Sequence, residues 1–280
     1  MSASDHIASL LEQYPDARTP KDAARLAARA RLARARECGY AGPPFDPHVL
    51  ASVLDIKTRA QALAPGLEAM IIPDQSGAFT IIWDPAQPKK RTNFSVAHEI
   101  AHTLFPGCAS GPQYRSTSPE AELEVLCDIA AAELLMPLEE FQDDVRRLGT
   151  SLESVNRLSA RYQASHEAVA IRMVYVTDMP AAVLVAGMPA SGAALTLQYA
   201  HANPGYQRTQ PFRQLYPGVL VPRYSVTQKA IRSPLRVTYK RDREVWYVGG
   251  RRHDFEMETM AISSRQGSPP RVLALLKPCL

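Results

Sequence analysis

Over the first 180 residues apolar positions recur mostly at helical spacing, whereas the last hundred residues alternate short β-prone runs with Pro/Gly turns. Residues 20–36, rich in Ala, Leu and Arg, open on Pro20 and stop before Gly39, which predicts a helix with Leu26, Ala30 and Ala33 as its apolar stripe. Its Arg25 and Arg29 share a face and read as a solvated surface rather than a nucleic-acid contact, because few aromatics accompany them. A short helix follows Pro47 over 48–54, and residues 67–72 and 78–83 read as strands joined by a turn at Asp74-Gln75-Ser76-Gly77. Next come a helix over 92–105 stopped by Pro106-Gly107, a polar loop over 108–118, and a helix over 119–136 ended by Pro137. Residues 138–178 are helical again, and 151–176 have helix–turn–helix spacing with Tyr162-Gln163-Ala164-Ser165 as the turn. Beyond Pro180, strands are expected at 182–185, 194–199, 235–239, 245–248, 256–262 and 271–276. The pattern predicts an α+β protein in three parts: 1–137, a helical 138–179, and a strand-rich 180–280.

With 280 residues, 46% hydrophobic and 21% charged, the chain fits an ordinary globular protein. No apolar run approaches the roughly 20 residues of a membrane span. Residues Met1 to His6 lack the basic-then-apolar order of a secretion signal, so the cytoplasm is the expected compartment and no membrane is an expected partner. Cys38, Cys108, Cys127 and Cys279 form no C-x-x-C pair, which speaks against a zinc ribbon or a disulfide framework and fits a reducing environment. A net charge of +4 permits an acidic partner without requiring one.

The candidate chemistry lies at His98-Glu99-Ile100-Ala101-His102, an H-E-x-x-H motif on a segment already read as helical. One helical turn puts His98 and His102 on one face, with Glu99 at its edge and Val96, Ala97, Ile100 and Leu104 on the arc facing a core. Two imidazoles so spaced can each place a nitrogen about 2.0–2.1 Å from one zinc ion. Glu99 lies too far round to be a good ligand but can reach a water on the ion. That arrangement suits metal-assisted hydrolysis, in which zinc lowers the pKa of the water and polarises a carbonyl while the carboxylate takes the proton.

A catalytic zinc site calls for a third protein ligand. The three-histidine form of the motif fails, since Phe105 and Cys108 stand where it needs glycine and histidine, and Cys108 follows Pro-Gly in a loop. The helix over 119–136 is apolar at Leu123, Val125, Leu126, Ile129 and Leu134, yet Glu120, Glu124 and Asp128 form one stripe at four-residue spacing. Buried carboxylates are costly unless paired or metal-bound. Glu124 as third ligand, with Asp128 accepting a ligand histidine's other N–H, would satisfy that stripe. Cys127, Ala130, Ala131 and Ala132 are small enough to let the two helices approach closely. The competing reading is an acidic stripe that faces solvent.

His98-Glu99-Ile100-Ala101-His102, led in by Asn93-Phe94-Ser95 and followed by Glu124-Val125-Leu126-Cys127-Asp128-Ile129-Ala130-Ala131-Ala132-Glu133-Leu134-Leu135-Met136-Pro137, resembles the ImmA/IrrE family of metallopeptidases over roughly residues 20–178. The E-x-x-x-D spacing is also similar to that of thermolysin-like gluzincins, which favours Glu124 over Glu120 or Glu122. The resemblance implies a zincin-like, gluzincin-type peptidase domain, a helix–turn–helix bundle and a GAF-like C-terminal domain. It further implies a zinc-dependent, site-specific endopeptidase that cleaves a helix–turn–helix (XRE-type) transcriptional repressor in a stress or DNA-damage response. The ligand set suits zinc first, and manganese or another divalent ion can occupy a similar site.

Other features carry less. In the helix–turn–helix segment, His166, Glu167, Ala168 and Val169 offer little base-edge or phosphate chemistry, so direct DNA binding is not favoured. Basic and aromatic residues alternate over 229–252, but Val237, Tyr239, Val245 and Tyr247 read more simply as the half-buried side of a hairpin with a charged outer face. The strand over 79–83 is expected to offer an edge for an extended substrate. Neither Tyr114 nor His166 is assigned as an oxyanion partner. The alternative function is a transcriptional regulator acting through residues 150–280 with a non-catalytic metal site.

Overall fold

The computed structural model describes residues 3–74, 76–105, 121–189, 192, 194–262 and 270–279. They form two compact units, one from 1–138 with 160–165 and the other from 139–159 with 166–280.

The first unit begins with α1 (Ala3–Gln13), α2 (Pro20–Glu37) and α3 (Pro47–Val53). Local chemistry sets the starts of α2 and α3: Thr19 and Asp46 cap them by accepting from the N–H of Asp22 and His48, and a proline occupies the first turn of each. Strands β1 (Lys57–Ala60), β2 (Ala69–Pro73) and β3 (Phe79–Trp83) form a sheet in the order β1-β3-β2, with β1 parallel and β2 antiparallel to β3. The turn between β2 and β3 is held by Asp74 Oδ1, which accepts from the Ser76 N–H at 2.8 Å and the Ala78 N–H at 3.0 Å.

The expected edge strand is not one. Phe79–Trp83 is the central strand, and consecutive burial of Ile81 and Ile82 marks a strand covered on both faces. The outer strands are β1 and β2.

Helices α4 (Lys89–His102) and α5 (Ala121–Leu135) complete the unit, and α5 packs against both α2 and α4. Small side chains permit this: Ala23, Ala24, Ala27 and Ala28 of α2 and Cys127, Ala130 and Ala131 of α5 are all buried. The basic face of α2 is not simply solvated, because Arg29 Nε donates to Oε1 of the fully buried Glu133 at 2.9 Å. Val125, expected inside, is 46% exposed, whereas Leu123, Leu126 and Leu134 are buried as the helical wheel predicts.

The chain continues through α6 (Leu138–Leu148), α7 (Leu152–Arg161) and α8 (His166–Val176). The second unit's sheet is antiparallel throughout, in the order β5-β4-β8-β7-β6, from β4 (Ala182–Gly187), β5 (Thr196–Ala202), β6 (Thr238–Val248), β7 (Arg251–Ile262) and β8 (Arg271–Pro278). All six residues of β4 are buried; Ala182, Leu184 and Ala186 join Trp246, Phe255, Met257 and Tyr206 in the core, and α8 packs on β4 and β5. Three short helices, α9 (Pro204–Gln207), α10 (Gln210–Arg213) and α11 (Val226–Ile231), lie where the sequence pattern predicts no element.

The two strands expected at 235–239 and 245–248 are one strand, β6. An irregularity between Arg241 and Glu244 inserts one residue and flips the alternation. Before it Tyr239 packs against the core; after it Glu244, Trp246 and Val248 are buried, while Tyr247 is 70% exposed. Val245 and Tyr247 are therefore not the inner side of the hairpin. The molecule is α+β, and among the described residues no helix is long and apolar enough to cross a membrane.

Candidate metal centre

Helix α4 is buried over most of its length: from Thr92 through His102 only Phe94 is not buried. Its position is fixed by its own polar lead-in. Asn93 Nδ2 donates to the Gln163 carbonyl at 3.2 Å, Ser95 Oγ donates to Glu68 Oε2 at 3.0 Å, and Arg91 pairs with the same Glu68 at 3.5 Å. Val96, Ala97 and Ile100 are fully enclosed and Leu104 nearly so, as the wheel predicts.

One turn apart on this helix, His98 and His102 are 1% and 3% exposed, with ring centroids 5.0 Å apart. Glu124 of α5 faces both: its Oε2 lies 3.1 Å from His98 Nε2 and its Oε1 3.6 Å from His102 Nε2. One turn further along α5, Asp128 Oδ1 lies 2.8 Å from His98 Nδ1. Cys127 Sγ lies 3.5 Å from His102 Nδ1, so each ring has a partner behind it; from sequence, Cys127 stands out only for its size. The imidazoles thus turn their Nε2 atoms toward one carboxylate and are held in orientation through Nδ1; the Asp128 carboxylate calls for a proton on His98 Nδ1, whereas Cys127 can donate or accept and leaves the His102 tautomer open.

Glu99 is 6% exposed, and one of its carboxylate oxygens lies within 4.8 Å of donor nitrogens of both His98 and His102. Both glutamates are thus near enough to share an ion with the imidazoles. They differ in how they are carried: Glu99 sits between the two histidines in sequence, whereas Glu124 reaches across from a second helix to both Nε2 atoms. Glu122 is exposed, and Glu120, Cys108 and Tyr114 fall outside the described residues. His166 begins α8 and belongs to the other unit.

Burial acts to lower the His98 pKa. The hydrogen bonds to Asp128 and Glu124, and the charges of Glu99 and Asp128, outweigh it and raise the pKa to about 9. Such a concentration of ionisable groups among apolar side chains is costly unless the charges are paired or ligate a cation. Two imidazole nitrogens and a carboxylate are the donor set that a zinc-like divalent ion takes in hydrolytic sites. The residues fit such an ion.

Residues 52–174 match the family described as the IrrE N-terminal-like domain. Two curated proteins, each named "Radiation response metalloprotease IrrE", are similar. The one from Deinococcus deserti is 30% identical over 157 residues, covering 52% of this chain and 53% of that protein. The one from Deinococcus radiodurans is 27% identical over 139 residues, covering 45% and 42%. The chain spans about half the length of these curated relatives. A solved structure described as "Mycobacterium tuberculosis transcriptional regulator" aligns with a TM-score of 0.60 over 99% of this chain and 82% of that one, at 13% identity, which is a likeness of fold alone. The matched stretch contains both motif helices, and the resemblance read from them is borne out.

Proposed function

We propose, from the premise that residues 52–174 form an IrrE N-terminal-like domain, that this protein is a zinc-dependent endopeptidase of zincin-like, gluzincin-type fold. His98, His102 and Glu124 would hold the ion, with Glu99 as catalytic base and Asp128 positioning His98. The observation that carries this reading is Glu124 standing 3.1 and 3.6 Å from the Nε2 atoms of both histidines. When bound, the ion would supply Lewis acidity, polarising a peptide carbonyl and acidifying water.

The chain's own residues do the proton work. Glu99, buried beside the histidines, takes a proton from the attacking water as its oxygen bonds to the carbonyl carbon. It returns a proton to the departing amine as the C–N bond breaks, so the carboxylate is regenerated. Asp128, at 2.8 Å from Nδ1, keeps the His98 ring oriented. An extended substrate adding to the first sheet would pair with β1 or β2, the strands whose outer edges carry no partner among the described residues.

The substrate we propose is a helix–turn–helix (XRE-type) repressor, cut in the cytoplasm during a stress or DNA-damage response. Support comes from the family resemblance and from relatives named as radiation-response metalloproteases. The same resemblance supports reading α7 and α8 as a helix–turn–helix within 138–179, and 180–280 as a GAF-like domain. Glu99→Gln tests the mechanism: it should retain the metal and lose about 10²–10⁴-fold in cleavage of a co-expressed repressor. Cleavage at the native rate in that variant would reject the assignment.

A second reading is a transcriptional regulator with a non-catalytic metal site. It draws on the structural neighbour, which is described as a transcriptional regulator. A gel-shift complex that survives both Glu99→Gln and metal removal would favour it.

A further inference from the structure

Residues 223–252 carry nine cations, Arg223, Lys229, Arg232, Arg236, Lys240, Arg241, Arg243, Arg251 and Arg252, against only Asp242 and Glu244. Four of the cations on the β6–β7 hairpin are answered locally. Lys240 meets Glu256 at 3.3 Å, Arg241 meets Glu244 at 2.9 Å, and Arg243 and Arg252 share Asp254 at 2.7 and 2.9 Å. Arg223, Lys229, Arg232, Arg236 and Arg251 have no carboxylate partner among the described residues, and the first three, all exposed, line one open surface groove of about 310 Å³ with Tyr224 and Gln228.

The groove is formed by the segment entering α11 and by that helix's outer face. Ser233 is already used, since its Oγ donates to the Lys229 carbonyl at 3.0 Å and lies 2.6 Å from the Tyr239 hydroxyl, whereas Ser225 Oγ accepts from the Gln228 N–H at 3.1 Å and keeps its own proton to donate. Lys229 Nζ is held 4.5 Å above the Tyr239 ring, so its position is set without an anion. Ligand-binding capacity therefore rests with the cations, the Gln228 amide and the Ser225 hydroxyl. Three cations lining one groove match an anion with several acceptor oxygens better than a single carboxylate, and guanidinium groups bind phosphate through two parallel hydrogen bonds.

Tyr224 adds the second half of a recognition site. Its ring is 92% exposed and stacks on no other ring among the described residues. A bare aromatic face beside a cationic groove is a platform for a planar ring.

We propose that this groove is a binding site for a nucleotide-type phosphate ester, a nucleoside monophosphate, with its phosphate on Arg223, Lys229 and Arg232 and its base on Tyr224. The proposal is independent of the metal centre, which lies in the other unit.

The test is calorimetric titration of the full chain with AMP, GMP, CMP and UMP, alongside adenosine, inorganic phosphate and a single-stranded oligonucleotide. One or more of the monophosphates should bind saturably at one site, and the nucleoside without phosphate should not. Arg223→Gln and Arg232→Gln, both lining the groove, should each raise Kd about ten-fold or more with an unchanged melting curve. Tyr224→Leu should weaken the nucleotide while leaving inorganic phosphate unaffected. Absence of saturable monophosphate binding up to about 10 mM would overturn the proposal, as would affinity that survives both arginine variants. Inorganic phosphate binding as tightly as the nucleotides would remove the role of Tyr224 and overturn it too. An oligonucleotide that binds far more tightly than any monophosphate, with a salt dependence demanding more than three phosphate contacts, would assign the surface to nucleic acid instead.

Discussion

Nδ1 of His98 and Oδ1 of Asp128 lie 2.8 Å apart, so the ring that faces Glu124 through Nε2 is gripped from behind by the residue one helical turn further along α5. Asp128 is itself 52% exposed, which makes it a poor contributor to folding and a good determinant of ring orientation. Asp128→Asn is therefore expected to weaken zinc binding by about 10–100-fold while leaving the melting temperature of the metal-free protein within about 1–2 °C. Competition against a chromophoric chelator measures the first quantity. An unchanged zinc affinity would show that the ring is oriented by packing alone.

Metal removal should be visible in stability as well as in activity. A ligand that binds only the folded state at a hundred times its Kd adds about 2.7 kcal/mol. For a unit of this size that amounts to roughly 5–10 °C in Tm. A strong chelator should produce that drop in the native protein and none in the His98→Ala/His102→Ala variant. Equal melting curves for native protein with and without chelator, after zinc loading is verified, would contradict the proposed site.

The helices of the site are legible in the sequence because their signals are local. Pro and Gly punctuate their ends, and the apolar arc of Val96, Ala97 and Ile100 faces inward as the wheel requires. His98, His102, Glu124 and Asp128 stand out because each pair repeats at one helical turn, and the structure brings all four together. Other features depend on partners distant in sequence. Strand β1 has all four side chains exposed, leaving no alternation to read, and its partner β3 lies beyond β2 in the chain. The inner face of β6 escapes a simple alternation because a single inserted residue reverses its parity. Cys127 beside His102 is invisible from sequence because its role depends on how two helices are rotated against each other.

Asp254 provides a pH test away from the metal centre. Hydrogen bonds from Arg252 and Arg243 outweigh the opposing effect of desolvation and hold its carboxyl at about 2, below the ordinary 3.8. A depressed folded value means that the stabilising contribution is complete above the unfolded pKa and disappears as pH falls through about 2. Carboxyl NMR should place the Asp254 midpoint near 2 in the native protein and return it toward 3.8 when both arginines are changed to glutamine. A midpoint near 3.8 in the native chain would mean that the paired geometry does not persist in solution.

Glu133 has no exposed surface, yet its carboxylate accepts from Arg29 at 2.9 Å and from the Leu138 N–H at 3.1 Å, so it links α2 to the turn that follows α5. The two ends of the ion pair differ in solvent access, since the Arg29 side chain is 38% exposed. Removing the carboxylate deletes an acceptor for a backbone donor and leaves a cavity. Removing the guanidinium instead takes the cation away from a carboxylate that has no access to water, which is costly in its own right. Glu133→Ala and Arg29→Ala should therefore each destabilise by about 3–4 kcal/mol. Glu133→Gln should cost less than Glu133→Ala, because the amide oxygen can still accept from Leu138. Urea unfolding of the metal-free variants, compared at equal m-value, measures all three. The double variant should cost less than the sum of the single changes, because both remove the same contact. If Arg29→Ala left stability unchanged, or the double variant were strictly additive, Glu133 would not be the link between these two helices.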